Sequence, residues 1–335
     1  MADLNSASAG QAPRMNAGLI PVRVIDVGGT HELATVELMR AEGYAQRLGV
    51  DIRRTYVTNG AEAVDLLLAG KADIAVQAGF GPALTAIAKE APLRVVAASN
   101  LLTVHAVYSR KPDIRRLEDL AGRTVGVGKL GALTHQLIFA ALRKHDIDPA
   151  SVRFVSIGNS GTIFKALLRG EVDAGFGETE VFDNQQHYGV HALEDGVLWR
   201  ELPDFPNQAS FAPCAVIREK RDALTRTLAA YALLYRRLHS PASWDAYAAA
   251  WTTALPDSGI EEGRSQWRFY QDNHPFAEDL LLPEVQLRYL QELNISMHLQ
   301  RSALPFEVVA DMSMARDALR LLDAMEPHNQ EKAAS

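Results

Sequence analysis

One seven-residue pattern occurs twice, one hundred positions apart, and limits what this chain can fold into more than anything else in it. Leu67-Leu-Ala-Gly-Lys-Ala-Asp73 and Leu167-Leu-Arg-Gly-Glu-Val-Asp173 share Leu-Leu-x-Gly-x-x-Asp, the form of a helix that closes on a glycine and passes into a strand. Each copy sits at the same place in a strand–helix–strand–helix–strand run. The first run reads as a strand at 21–27, a Gly-Gly-Thr turn, a helix at 31–48, a strand at 50–57, a helix through Leu68 and a strand from Asp73. In the second, strands at 123–127 and 152–157 alternate with helices at 133–145 and from Asn159-Ser-Gly-Thr162, and Asp173 leads into the last strand. Short apolar strands joined to helices by brief glycine turns specify βαβ units and a mainly parallel sheet. The expected fold is therefore α/β, with two similar βαβ lobes. Beyond Phe205 the pattern changes to an apolar stretch at 211–217 and then helices at 222–238, 243–253, 263–271, 283–293 and 313–325.

Composition agrees with two buried cores. The 335 residues are 47% hydrophobic and 22% charged, a soluble globular profile. A net charge of −7, with Arg115-Arg116 and Arg236-Arg237 as isolated basic pairs, argues against a nucleic-acid surface. Cys214 is the sole cysteine, which rules out an intrachain disulfide or a thiolate metal cluster. No apolar run approaches the roughly 18 residues of a membrane span. Met1 to Gly18 lacks the charged start and apolar centre of a secretory signal, so the expectation from the start as written is a cytoplasmic chain.

Ligands of open parallel sheets lie beyond the carboxyl ends of the strands, against helix N-termini whose free N–H groups favour an anion. In the first run this rule selects Thr30, His31, Asn59, Gln77 and Phe80. In the second it selects Lys129, Thr134, His135, Asn159, Thr162 and Glu178. These are the candidate ligand-binding residues. The plain alternative is that Asn59, Asn159 and Thr162 are helix caps and that His31 and His135 are capping or surface residues. Lys129 and the helix termini favour an anionic ligand, whereas Glu178 and Glu180 favour a cation; the expectation is a small polar sulfonate- or carboxylate-like molecule. His31, His135 and Glu178 lack metal-ligand spacing, and no metal or cofactor is expected. Gly126-Val-Gly-Lys-Leu-Gly131 is a literal GxGxxG, but no acidic residue ends the following strand, which disfavours a dinucleotide-binding oxidoreductase. Glu178-Thr-Glu180 with Asp183 reads as paired carboxylates or as a solvated loop. No catalytic residue is assigned.

Several segments resemble the nitrate/sulfonate/taurine-type binding proteins of ABC importers and the related thiamine-pyrimidine synthases. They are Leu117-Glu-Asp-Leu-Ala-Gly-Arg-Thr-Val-Gly-Val127, Gly131-Ala-Leu-Thr-His135, the two repeat junctions and Asp311-Met-Ser-Met-Ala-Arg-Asp-Ala318. The resemblance runs from about Val22 to Asp323. It implies a periplasmic-binding-protein-like fold, with crossings near Tyr108–Lys111 and Pro206–Cys214 that bend as a hinge and close a cleft on the ligand. It gives a lobe I of residues 21–109 plus 212–325, a lobe II of 110–211, and disordered ends at 1–20 and 326–335. It also implies a monomer that meets an ABC permease in the periplasm. The same fold carries enzymes: the synthase's cysteine-rich motif is absent here, and a desulfinase-like role would need Cys214 as nucleophile.

Overall fold

The structure is a computed structural model that describes residues 18–27 and 29–333; of Thr30, His31 and residues 326–333 it describes the backbone alone. The expectation of disordered ends falls largely outside these residues.

Ten strands form two five-stranded sheets. The first sheet takes β1 (Ile20–Val27), β2 (Val50–Val57), β3 (Ile74–Ala78) and β4 (Leu93–Asn100). The second takes β5 (Ala106–Ser109), β6 (Thr124–Val127), β7 (Arg153–Ser156), β8 (Ala174–Gly177) and β9 (His191–Val197); β10 (Gln208–Pro213) returns to the first. The orders are β2-β1-β3-β10-β4 and β7-β6-β8-β5-β9, so each sheet repeats the other's plan. Around the first sheet lie α1 (Thr30–Ala41), α2 (Tyr44–Arg47), α3 (Gly60–Leu68) and α4 (Gly81–Ile87). The second carries α5 (Leu133–Lys144), α6 (Ser160–Leu168), α7 (Thr179–Asp183), α8 (Gln185–Tyr188) and α9 (Leu198–Glu201). The chain ends in α10 (Cys214–Glu219), α11 (Arg221–His239), α12 (Trp244–Ala254), α13 (Ile260–Asn273), α14 (Glu284–Ser296), α15 (Phe306–Val309) and α16 (Ser313–Ala333).

The repeat explains itself in atoms. Gly70 and Gly170 take φ of 67° and 73°, the left-handed conformation that glycine adopts without a side-chain clash. Behind them the amides of Lys71 and Glu171 reach back to the carbonyls of Leu66 and Ala166, each at 3.0 Å, and close the helix. Three residues past each glycine, an aspartate crosses to the strand that opens its own βαβ run. Asp73 accepts the Arg23 amide at 2.9 Å and Asp173 the Thr124 amide at 2.7 Å. In return their own amides donate to the Arg23 and Thr124 carbonyls at 2.8 and 2.9 Å. Asp73 is also paired with Arg23 and Lys220, and Asp173 with Lys111.

Two expectations are corrected. The helix predicted at 31–48 is broken after Ala41, because Gly43 turns the chain through φ 67° before α2. The lobe boundaries also move. Ala106–Ser109, expected in lobe I, pairs antiparallel with β8 and β9, and Gln208–Phe211, expected in lobe II, pairs antiparallel with β3 and β4. The changeovers therefore lie within 101–105 and 198–207. Both crossing strands are buried along almost their whole length, and an apolar strand carries no mark of which sheet it will join.

Burial raises the Asp73 carboxyl, but bonds from Arg23 and Lys220 outweigh it and hold the group below its ordinary value; for Asp173 the Lys111 ammonium and the Thr124 amide do the same. A depressed folded value stabilises above the unfolded pKa, near 3.9, and the gain is lost as pH falls through the folded value. Asp73→Asn and Asp173→Asn should each cost about 1–3 kcal/mol at neutral pH. In urea unfolding, the gap from wild type should shrink steadily once the pH drops below about 4.

Candidate functional site

The carboxyl ends of β1, β2, β6 and β8 face one another across a cleft of about 500 Å³ including its mouth, of which about 50 Å³ admits the centre of a water molecule. That inner space is enough for a few waters or one small ligand. Val27, Gly29, Glu32, Thr58, Asn59 and Gly79 line it from the first sheet's side. Gly128, Thr134, Asn159, Ser160 and Glu178 line it from the second, with His105 and Gln208 where the chain crosses. Glycines bring the walls together: a β-carbon on Gly60 would lie 1.9 Å from the Gly79 carbonyl oxygen, and one on Gly79 would lie 2.8 Å from Leu133 Cβ of the other lobe.

The lobes are shut on both flanks. On one, Gln136 of α5 donates to Asn294 of α14 at 2.6 Å, and Asn294 donates to the Gly81 carbonyl at 3.1 Å. On the other, the Tyr188 hydroxyl donates to Glu262 at 2.6 Å.

Of the eleven candidate residues, Asn59, Thr134, Asn159 and Glu178 line this cleft. Asn59 Oδ1 accepts the Ala61 and Glu62 amides at 3.0 and 3.1 Å, and Asn159 Oδ1 the Thr162 amide at 3.0 Å. Both line the cleft as caps, so the N-termini of α3 and α6 are already supplied with acceptors. Thr134 Oγ1 accepts the Gly128 amide at 2.7 Å, which pins the glycine loop to α5. Ser160 donates its hydroxyl to Glu178.

The structure does not bring the others together in the same way. Gln77 is fully buried on β3 at φ 50°, and neither atom of its amide has a hydrogen-bond partner among the described residues. Phe80 belongs to the core beneath α4. Lys129 and Thr162 are exposed and do not line the cleft; Thr162 bonds to Asn159 instead. His135 accepts the Gly131 amide on Nδ1 at 2.9 Å and packs edge-on against Phe154 and Phe139. The side chains of Thr30 and His31 lie outside the described residues.

Sequence reasoning missed Glu32, His105 and Gln208 as lining side chains, and it selected the segments of Thr58 and Ser160 without singling those two out. Glu32 is 2% exposed, and its Oε1 accepts from Gln208 Nε2 at 2.7 Å. His105 Nδ1 meets the Thr103 hydroxyl at 2.9 Å. Beneath the cleft, Asp26 is buried against Arg54 at 3.1 Å and the Tyr231 hydroxyl at 3.2 Å. Burial pushes the Asp26 carboxyl up to about 6; Arg54 opposes the rise and Glu32 adds to it. Burial likewise holds the Tyr108 phenol well above its ordinary value, and the charges of Glu180, Asp183 and Glu178 add to that. Among the described residues no lysine or arginine lines the cleft, and Lys129 lies outside it.

Two other centres fall away from the cleft. Cys214 begins α10 at the far end of β10 from Gln208, about 20 Å along the strand at the usual rise per residue, so a nucleophilic role for it in this cleft is excluded. His239, His274 and Glu278 are close enough together to hold a metal but do not line the cleft. His239 Nδ1 is engaged with Glu278 at 2.6 Å, and its Nε2 accepts the Phe276 amide at 3.3 Å.

Burial pulls the His135 imidazole down to about 4, so it is neutral across the physiological range. Its stabilising packing is intact above the unfolded value near 6.5, and acid erodes it progressively down to the folded value. The His135 ring signals in an NMR titration should therefore stay constant above about pH 5. Titration near the unperturbed 6.5 would contradict the buried placement.

No curated protein matches the chain by sequence. Among solved structures, the alkanesulfonate-binding protein SsuA from Xanthomonas axonopodis pv. citri bound to MOPS aligns with TM-score 0.69 at 14% identity, covering 90% of this chain and 98% of that one. The periplasmic nitrate-binding protein NrtA from Synechocystis PCC 6803 aligns with TM-score 0.72 at 12% identity, covering 91% and 89%. The SsuA from Escherichia coli aligns with TM-score 0.66 at 15% identity, covering 87% and 92%. At these identities the likeness is one of fold, the periplasmic-binding-protein architecture. The sequence itself matches the NMT1/THI5-like pattern over residues 34–235, more than half of its length. With the duplicated sheets and the shared cleft, that match places the chain in the NMT1/THI5-like family.

Proposed function

We propose that the protein is a solute-binding protein that captures a small polar organic molecule between its lobes and presents the closed form to an ABC-type permease. The observation that carries this reading is the cleft. It lies at the carboxyl ends of strands from both sheets, takes lining side chains from both lobes, and is crossed by two chain segments. Such a site binds fully only when the lobes are together, so ligand shifts an open–closed equilibrium toward the closed form by its extra contacts there. Sulfonate- and nitrate-binding proteins with the same fold support the transport reading. Work at the outer face of a membrane and a monomeric state belong to the same proposal; among the described residues no helix is long and apolar enough to cross a bilayer.

Thermal unfolding and small-angle scattering across a panel of small polar solutes test the reading. A true ligand raises Tm and narrows the distribution toward the compact form. Conversion of a bound compound into a product, followed by mass spectrometry, would favour an enzyme instead.

The flank contacts give a separate expectation. Asn294→Ala leaves the Gln136 side-chain amide without its partner in the closed form alone, at a cost of about 1–3 kcal/mol. The radius of gyration of the unliganded variant should rise as open molecules accumulate. A radius equal to that of wild type would mean that these bonds do not set the open–closed balance.

A further inference from the structure

We infer that the ligand is a small organic cation, a protonated amine or an amidinium, held by one carboxylate from each lobe. The inference rests on the binding-protein reading and adds to it the charge of the solute.

Glu32 stands in the first turn of α1 and Glu178 at the start of α7, so they enter the cleft from opposite lobes. Both are 2% exposed. A β-carbon on Gly29 would lie 2.2 Å from Glu32 Oε2 and 3.3 Å from Glu178 Oε1, so the two oxygens are no further apart than the sum of those distances. A second, independent observation points the same way. Gln208 lines the cleft at 2% exposure, and its Nε2 is turned to Glu32, which fixes its Oε1 as an acceptor. That oxygen has no hydrogen-bond partner among the described residues. A buried acceptor left unmade is costly, so the bond it lacks is one a ligand donor would supply.

Among the described residues the inner cleft thus combines two carboxylates and an amide oxygen, with no lysine or arginine in its lining. The Arg54 guanidinium beneath the cleft is paired with Asp26. An anion placed here would meet two like charges in a poorly screened space, whereas a cation gains from both. The adjoining cavity of about 220 Å³, which shares Ser160 and Glu178, adds Glu180 and Glu262 against one cation, Lys165. Because the carboxylates belong to different lobes, a bridging cation would bind the closed form better than the open one, which is the differential affinity that hinge closure requires.

The test uses the intact chain with methylguanidinium, agmatine and putrescine as cations, taurine, methanesulfonate, nitrate and acetate as anionic or zwitterionic probes, and urea as a neutral probe. At least one cation should raise Tm and bind by calorimetry. Glu178→Gln and, separately, Glu32→Gln should weaken that binding tenfold or more, without lowering the Tm of the unliganded protein by more than a few degrees. If Glu32→Gln does not fold, Glu178→Gln alone decides. Binding of an anionic, zwitterionic or neutral probe with no cation bound overturns the inference and leaves the binding-protein reading standing. Cation binding that both carboxamide variants retain also overturns it. Binding of no probe at all overturns the inference together with the reading beneath it.

Discussion

The architecture depends on one carboxylate in each lobe. Asp73 and Asp173 follow a glycine-closed helix and reach across to β1 and β6, the strands that open their βαβ runs, each exchanging two hydrogen bonds with one residue there. That exchange fixes where β3 starts against β1 and where β8 starts against β6. Register in a parallel pair decides which residues end level with one another, and a slip of one position would turn every side chain to the opposite face. The cleft lies where those level ends meet. The glycine matters for the same reason: at φ near 70° it turns the chain so that the aspartate arrives beside the strand at all.

The cleft built on this frame supplies its own acceptors. The helices that start at its walls carry Asn59, Asn159, Glu32 or Glu178 in or before the first turn. A bare helix N-terminus attracts an anion, but a terminus that already holds a side-chain oxygen does not offer the same field. The rule that located the site in the sequence concerns backbone alone and takes no account of these side chains.

Much of the fold was legible because duplication and strand–helix alternation are local patterns. The repeat junctions, the strand ends and the two asparagine caps could all be read within ten-residue windows. What was lost depends on partners distant in sequence. The expected lobe boundaries put β5 and the first four residues of β10 with the other lobe, because buried strands of either sheet have the same composition. Gln208 and His105 enter the cleft from those crossings, where no motif marks them. Glu32 was passed over as an ordinary first-turn acid. His135 did leave a signal that went unused: Phe139 lies four residues on, on the same helical face, and the ring turns toward it and Phe154 and away from the cleft.

The placing of β10 has a consequence for how the chain can be made. Residues 106–197 supply every strand of the second sheet without interruption, so that sheet can be completed as soon as they have left the ribosome. The first sheet cannot. β10 is not an edge strand added late but the member between β3 and β4, and it is synthesised only after the whole second sheet. Until then β3 and β4 face an open slot with unsatisfied backbone edges, the kind of surface that pairs with other nascent chains. The N-terminal lobe is therefore the last to close, and synthesis of the intervening lobe sets how long that slot stays open.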